Sequence, residues 1–523
     1  MIKSIADLTL EEKLGQLIVF GFYGDEYSSE IEKMIKDYKL GNVILFARNI
    51  SSPEKLFNLN KTIQQKMLEH LKLPAFIAID QEGGMVTRLF NQTTVFPGAM
   101  TTSASDNLKN AYQIGQYMAI EMAALGINLN FAPVLDVNTN PLNPGIGVRS
   151  YGDNPSLVSE YGKAYLKGIQ TKLFATAKHF PGKGEASVDS HLDLPKVDLD
   201  LKRIKEVELQ PFKTAIENGI KAVMTAHAIY PELDNKFPAT LSKPILTDLL
   251  RTELNFVGLI VTDGMEMQAI DNHFGAVDAA VDALLAGANL ILYCHYPEQQ
   301  IAAVKVLKEA VLSGRIREEV LNERVERILK YKNELNLANL AKQYLDVKKN
   351  VGKIEHQRFA QNVVDNALTL VKGEVFKKDN KTLFIAQFPE AITLVESKGE
   401  KQNLTKVLQQ EIPDFDYRTA KLNPSDEEIA EFVKTAKNYE QTIITTYNAN
   451  MYSKQITLIK ELLNQNLEVH VISLRNPFDL HLLPEIKNYV CLYEYTKNSI
   501  NTLKNYLLGN LIPQGKLPVK LNN

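Results

Sequence analysis

Eight short apolar runs punctuate the N-terminal part of the chain: QLIVFG (16–21), VILFA (43–47), AFIAID (75–80), INLNFAP (127–133), ATAKHF (175–180), KAVMTAH (221–227), GLIVTDG (258–264) and NLILYC (289–294). Each is nearly continuous in hydrophobicity rather than alternating, which is the pattern of a strand covered on both faces. The stretches between them have helical character, as in SPEKLFNLNKTIQQKMLEHL (52–71) and SKPILTDLLRTEL (242–254), where Ser242 stands as an N-cap ahead of Pro244. Eight strands alternating with helices predict an α/β architecture, a closed (β/α)8 barrel of the TIM type, over residues 1–335. A doubly wound open sheet is the competing arrangement. It is disfavoured because no glycine-rich dinucleotide fingerprint follows an early strand, and because polar residues gather at the C-terminal ends of most of the eight strands.

A charged, polar segment (336–357) predicts a linker. Beyond it a second alternating pattern begins, with ALTLVKG (367–373), KTLFIAQF (381–388), QTIITTY (441–447), LEVHVISL (467–474) and YVCLYEY (489–495) separated by helical segments such as QITLIKELLNQN (455–466). This predicts a C-terminal three-layer α/β/α domain over 358–523 with a mainly parallel sheet. A chain of 523 residues fits two such units, since single cores stop growing at roughly 250–300 residues.

Composition narrows the function classes. With 59 basic and 62 acidic side chains the net charge is −3, which gives no sign of a nucleic-acid or membrane-surface partner. The first apolar stretch comes after acidic residues, unlike a signal peptide, and no apolar run reaches the ~18 residues of a bilayer span, so a cytoplasmic protein is expected. Two cysteines far apart, Cys294 and Cys491, argue against a disulfide framework or a cysteine metal cluster.

Residues at the C-terminal ends of barrel strands face the catalytic mouth. Strand three ends in Asp80, followed by Gln81-Glu82-Gly83-Gly84 and Arg88. The loop after strand four carries Asp136 and Arg149. Strand five ends in Lys178-His179, strand six in His227 and strand seven in Asp263. Singly, each has an ordinary structural role open to it: Asp80 capping a turn, Arg149 pairing with Asp136, His227 as a satisfied core histidine. Together at one mouth they predict a polar site, because buried charges have to be paired. The segment KHFPGKGEASVDSH (178–191) adds Asp189 and His191 two residues apart. A carboxylate so placed orients an imidazole and raises its basicity. Gly182 and Gly184 predict a flexible loop, and an Asp–His pair on such a loop suits a proton donor that closes over substrate. The alternative is a solvated loop in which Asp189 caps a turn.

These motifs resemble glycoside hydrolase family 3, in its β-N-acetylglucosaminidase branch. KHFPGKGEASVDSH resembles the branch's KHFPGHGDT…DSH loop, DQEGGMVTRL (80–89) its DQEGG-x-V-x-R segment and GVRSYG (147–152) its IGxRSFG. MTAHAIYPELDNKFPATLS (224–242), GLIVTDGMEMQAI (258–270), ISLRNPFDL (472–480), YEYTKNS (493–499) and LGNLIPQGKLPV (508–519) resemble further signatures in the expected order. The resemblance implies a retaining hydrolase of terminal β-linked N-acetylglucosamine, acting on peptidoglycan-derived muropeptides or GlcNAc-MurNAc in cell-wall recycling, with no metal or organic cofactor. It implies Asp263 as nucleophile of a covalent glycosyl-enzyme, His191 as acid/base held by Asp189, and Asp80, Arg88, Arg149, Lys178, His179 and Met265 as sugar-binding residues. Lys178 and His179 are sequential, so a regular strand would turn them to opposite faces; the family carries a non-proline cis peptide here, and a distorted backbone is expected. The chain has no Trp, so any stacking on a sugar falls to its 21 Tyr and 21 Phe.

Two departures stand in the loop. Lys183 replaces the branch's usual His, and Glu185 its usual Asp, which makes Glu185 a rival proton donor. The remaining alternatives are a β-glucosidase or β-xylosidase, a β-N-acetylglucosaminide phosphorylase of the same family, a Schiff-base aldolase using Lys178, a metal hydrolase using His179, His191 and His227, and a degenerate barrel that only binds sugar. The Asp189–His191 pair weighs against the first of these, and the intact Asp263 against the last.

Overall fold

The computed structural model describes residues 3–89, 92–378, 380–387 and 403–521. Phe388 of the predicted KTLFIAQF strand therefore lies outside the described residues. Strands β1 (Ile18–Phe20), β2 (Asn42–Leu45), β3 (Phe76–Ile79), β4 (Leu129–Asn130), β5 (Phe174–Phe180), β6 (Ala222–Thr225), β7 (Leu259–Gly264) and β8 (Leu290–Tyr293) pair in parallel in chain order, and β8 closes back on β1. Each falls within or against one of the eight apolar runs. Every residue of β2, β3, β6 and β8 is buried, as helices outside and packed side chains inside require.

Polar residues at strand beginnings stitch the barrel. Asn42 Nδ2 donates to the carbonyls of Gln16 (2.8 Å) and Ile18 (3.1 Å), while its Oδ1 accepts from Phe76 N (3.3 Å). Asn289 Oδ1 likewise accepts from Ile260 N at 2.9 Å. The helix Pro53–His70 starts with Ser52 Oγ accepting from Lys55 N (3.3 Å) and proline in its first turn. Ser242 caps as predicted, its Oγ accepting from Ile245 N at 3.2 Å. The following segment, Pro244–Glu253, is wound as a π-helix rather than an α-helix.

The second sheet has the order β11-β10-β12-β13-β14-β9, with β9 (Thr369–Lys372), β10 (Thr382–Gln387), β11 (Asp416–Ala420), β12 (Gln441–Thr446), β13 (Glu468–Ser473) and β14 (Asn488–Cys491). All pairings are parallel except β14 with β9. Strand β11 (DYRTA) is absent from the sequence reading. It forms one edge of the sheet and all its residues but Ala420 are at least partly exposed, so it needs no apolar run, and a polar edge discourages pairing with other chains. The segment 336–357 lies against the barrel: Asn339 Nδ2 donates to Ala123 O (2.6 Å) and Lys61 Nζ to Lys342 O (2.6 Å), and the helix Ile354–Ala367 begins inside it. Among the described residues no helix is long and apolar enough to cross a membrane.

The second unit packs on the barrel's loops. Met85, Met100, Ala104 and Val148 join its hydrophobic core rather than the barrel's. The buried Glu494 carboxylate accepts from Gly98 N (2.9 Å), Thr101 Oγ1 (2.7 Å) and Thr496 Oγ1 (2.8 Å). Asn498 Nδ2 reaches Val95 O (2.8 Å), and Asn450 Nδ2 reaches Pro141 O (2.9 Å). The loops after β3 and β4 are therefore held from behind.

Candidate active site

Two charged layers meet at the barrel mouth. In the first, Lys178 Nζ lies 2.8 Å from Asp80 Oδ1 and 2.7 Å from Glu82 Oε1, and Arg149 grips Glu82 through Nε–Oε2 (2.9 Å) and Nη2–Oε1 (2.7 Å). Two parallel N–H···O bonds to one carboxylate form a strong, directional pair. Burial pushes Glu82 up, but Arg149 and Lys178 more than offset it and hold the carboxyl at about 2. Burial alone would lower Lys178; Asp80 and Glu82 raise it above its usual value, so it stays an ammonium. That state does not favour Schiff-base chemistry. Asp136 is the structural partner that sequence suggests for Arg149; the partner is Glu82, to which the sequence assigns no role of its own. A DQEGG run does not say which of its two acids turns towards an arginine that lies far along the chain. Arg88 is buried, with its guanidinium 6.0 Å from the Phe46 ring and its backbone N–H bonded to Gln81 Oε1 (2.7 Å).

Removing Glu82 leaves two buried cations short of a partner. Glu82→Ala is expected to lower stability by about 3–5 kcal/mol, read as a fall in the urea midpoint; an unchanged midpoint would show that the pair does not hold the mouth together.

In the second layer the peptide between Lys178 and His179 is cis, and both side chains reach the mouth. His179 Nδ1 lies 2.7 Å from Asp136 Oδ2, and the fully buried Asp136 also accepts from Lys183 N (2.7 Å). Burial, then Lys183, Arg149 and Lys178, push His179 well below the usual histidine value. It is therefore neutral, with Nδ1–H donated to Asp136 and Nε2 turned to Asp263 Oδ2 at 4.0 Å.

Asp263, on β7, accepts from Gly264 N through Oδ1 (2.9 Å), leaving Oδ2 without a hydrogen-bond partner among the described residues. Burial would raise its carboxyl, but Lys183, His227 and His191 bring it below the usual range. Its side chain is 18% exposed, against 0% for Asp136 and 7% for Glu82. It is thus ionised, oriented and reachable. His191 Nδ1 lies 2.8 Å from Asp189 Oδ1, and its backbone N–H donates to the same oxygen at 3.0 Å. Despite burial, the bonds from His191 hold Asp189 far below the usual carboxylate range. Nδ1–H is thereby committed to Asp189, and Nε2 has no hydrogen-bond partner among the described residues.

The loop carrying this pair is more anchored than its glycines suggest. Asn143 Nδ2 donates to the carbonyls of Lys183 (2.8 Å) and Gly184 (2.9 Å). A Cβ on Gly184 would stand 1.7 Å from Val137 O, so glycine is there for close approach rather than for motion. Further on, Ala269 N donates to Ser190 O (3.2 Å) and His273 Nε2 lies 2.9 Å from Asp193 Oδ1, which ties the loop to the segment after β7. Glu185, the rival donor, is held by Thr139 and lies 3.9 Å from Arg203, partners that give it no link to Asp263.

His227 takes its ordinary structural role. It is fully buried, with Nδ1 2.7 Å from Thr240 Oγ1 and Nε2 donating to Gly264 O (2.9 Å), and burial pushes it down to about 4. Met265 is fully buried and belongs to the barrel's hydrophobic core. Arg48 lies between the rings of Tyr23 (4.6 Å) and Phe46 (4.4 Å) and 3.0 Å from His295 Nδ1. Tyr23 and neighbouring Tyr296 are exposed, giving the rim the aromatic surface a tryptophan-free chain can offer. A separate cavity of about 420 Å³ lies at the strands' opposite ends, lined by Asn60, Asn128, Lys172, Phe174 and residues from 334–353. Chemistry in barrels of this kind belongs to the C-terminal mouth.

Residues 9–331 match the family model described as "Glycosyl hydrolase family 3 N terminal domain". The chain is 35% identical over 374 residues to a beta-hexosaminidase A of Pseudoalteromonas piscicida, a match covering 66% of this chain and 61% of that one. It is 36% identical to a beta-hexosaminidase of Hydrogenovibrio crunogenus over 313 residues, 57% of this chain and 85% of the relative. Among solved structures, a glycoside hydrolase family 3 beta-N-acetylglucosaminidase from Paenibacillus sp. str. FPU-7 superposes with a TM-score of 0.89 at 37% identity, covering 98% of this chain and 99% of that one.

Proposed function

The chain belongs to glycosyl hydrolase family 3, and from that premise we propose that it is a retaining β-N-acetylhexosaminidase that removes terminal β-linked N-acetylglucosamine through a glycosyl–Asp263 intermediate. The observation that carries this reading is the pairing of an ionised, reachable Asp263 with an imidazole, His191, whose second nitrogen is fixed by Asp189. Asp263 Oδ2 attacks C1 from one side. His191, protonated, passes its Nε2 proton to the departing oxygen on the other. In the second step His191 Nε2 takes a proton from water, the oxygen attacks C1, and Asp263 is released. Asp80, Lys178, Arg149 and Arg88 supply the acceptor and donors for the sugar hydroxyls, and His179, with Nε2 left as an acceptor at the mouth, takes a hydrogen bond from a further hydroxyl.

The proposed physiological substrate is a peptidoglycan-derived fragment, muropeptide or GlcNAc-MurNAc, a step that rests on family resemblance alone. The test is hydrolysis of 4-nitrophenyl β-N-acetylglucosaminide against the matching glucoside, with the first-formed anomer followed by proton NMR. Faster cleavage of the glucoside, or release of the α-anomer, would defeat the reading. Added phosphate that diverts the product to a sugar 1-phosphate would replace hydrolysis by phosphorolysis.

A further inference from the structure

We propose that Lys183 is a further sugar-contacting residue of this site: its buried ammonium donates hydrogen bonds to neutral oxygens of the sugar held over Asp263. The proposal rests on the reading above and extends it to a position where this loop departs from the pattern it resembles.

Lys183 is 6% exposed. An ammonium carries three N–H donors, yet its side chain has one partner among the described residues, Ser190 Oγ, at a long 3.4 Å. No carboxylate lies within ion-pair distance of it among the described residues, whereas Lys178 nearby has two, at 2.8 and 2.7 Å. Leaving a buried ammonium so poorly partnered is costly to the fold. Nor can the backbone relieve it. Lys183 N is bonded to Asp136 Oδ1 (2.7 Å), its carbonyl to Asn143 (2.8 Å), and Gly184 is packed on Val137 O.

The charge sits amid the reacting groups. Lys183 is the foremost charge acting on Asp263, on Asp136 and on His179, and it also acts on Asp189. The remaining groups facing Asp263 are His227 from β6, His179 and His191 from β5 and its loop, and Cys294 after β8. An ammonium with two donors to spare, joined to Ser190 between Asp189 and His191 and anchored through its backbone to Asp136 of the His179 pair, is set to meet a sugar held over Asp263. The surrounding carboxylates would repel an anion, so the fitting acceptor is neutral: a sugar hydroxyl or the amide carbonyl of an N-acetyl group.

The test uses Lys183→Met and Lys183→Arg in the full chain. For Lys183→Met, affinity for N-acetylglucosamine, measured by calorimetry, is expected to fall about tenfold or more, the value of a charged hydrogen bond. Without the cation Asp263 ionises less readily, so the acidic limb of kcat/KM should move up by about one pH unit. The thermal midpoint should hold or rise, because an apolar chain of similar volume replaces an unpaired charge. Lys183→Arg should keep the acidic limb. A lowered midpoint with unchanged affinity and limb would make Lys183 merely structural and overturn the proposal. So would an arginine variant indistinguishable from the methionine one. A wild-type chain that fails to cleave the N-acetylglucosaminide overturns the functional reading itself; a wild type that cleaves, beside a methionine variant that behaves identically, overturns the Lys183 proposal alone.

Discussion

Asp263→Asn is expected to reduce turnover of 4-nitrophenyl β-N-acetylglucosaminide by at least about a thousandfold, roughly 4 kcal/mol of barrier, with little change in thermal midpoint. The carboxylate makes one hydrogen bond to the chain, from Gly264 N, and its other oxygen is unpartnered among the described residues. The amide can keep the bond to Gly264, but it cannot attack C1 or carry the negative charge that the oxocarbenium-like transition state needs. The fold loses almost nothing, because among the described residues no ion pair shorter than the 4.0 Å approach of His179 depends on this carboxylate. A fluorinated N-acetylglucosaminyl fluoride, which slows release of the intermediate, should label the wild type on the peptide containing Asp263. Intact turnover in the variant, or a label on another residue, would remove the proposed mechanism.

His191→Ala is expected to act differently on different substrates. General acid catalysis contributes about 10²–10⁴-fold, and that share is needed only where the leaving oxygen must be protonated. A disaccharide should therefore lose about that factor, while 4-nitrophenol, a good leaving group, should depart at a rate much closer to that of the wild type until the second step limits turnover. Asp189→Asn should fall between the two. It keeps a side chain near Nδ1 but gives up the charge that orients and supports the imidazole through the 2.8 Å contact. An equal loss for both leaving groups would place His191 outside the proton transfer. Activity surviving His191→Ala but lost in Glu185→Gln would hand the role to Glu185, against the contacts that hold it to Thr139 and Arg203.

The eight barrel strands were legible because a strand covered on both faces has no choice but to be apolar, and the runs from QLIVFG to NLILYC show this directly. The exposed edge strand β11 was illegible for the converse reason: with one neighbour and solvent on its free side, DYRTA is under no such demand. In the site, Asp189 and His191 could be paired on paper since two residues of spacing already bring them together. Arg149 could not be assigned to Glu82 on the same ground, because 67 residues separate them and Asp136 is nearer in sequence. The glycines of the 181–191 loop read as freedom to move; only the 1.7 Å that a Cβ would leave to Val137 O shows that one of them is there for close packing.

By itself the sequence determined what local chemistry and periodicity can determine: two α/β units, a ring of strand ends bearing charge, and an Asp–His pair beside a β7 aspartate. Tertiary structure alone decided which charges neutralise one another and which do not. Glu82 is shared by Arg149 and Lys178, His227 is satisfied by Thr240 and Gly264, and the Lys183 side chain is left with a single long hydrogen bond among the described residues. The physical reason is that a charge's energy depends on distances to groups scattered across five strands and on how much water is excluded between them. Neither quantity is written in the spacing of residues along the chain.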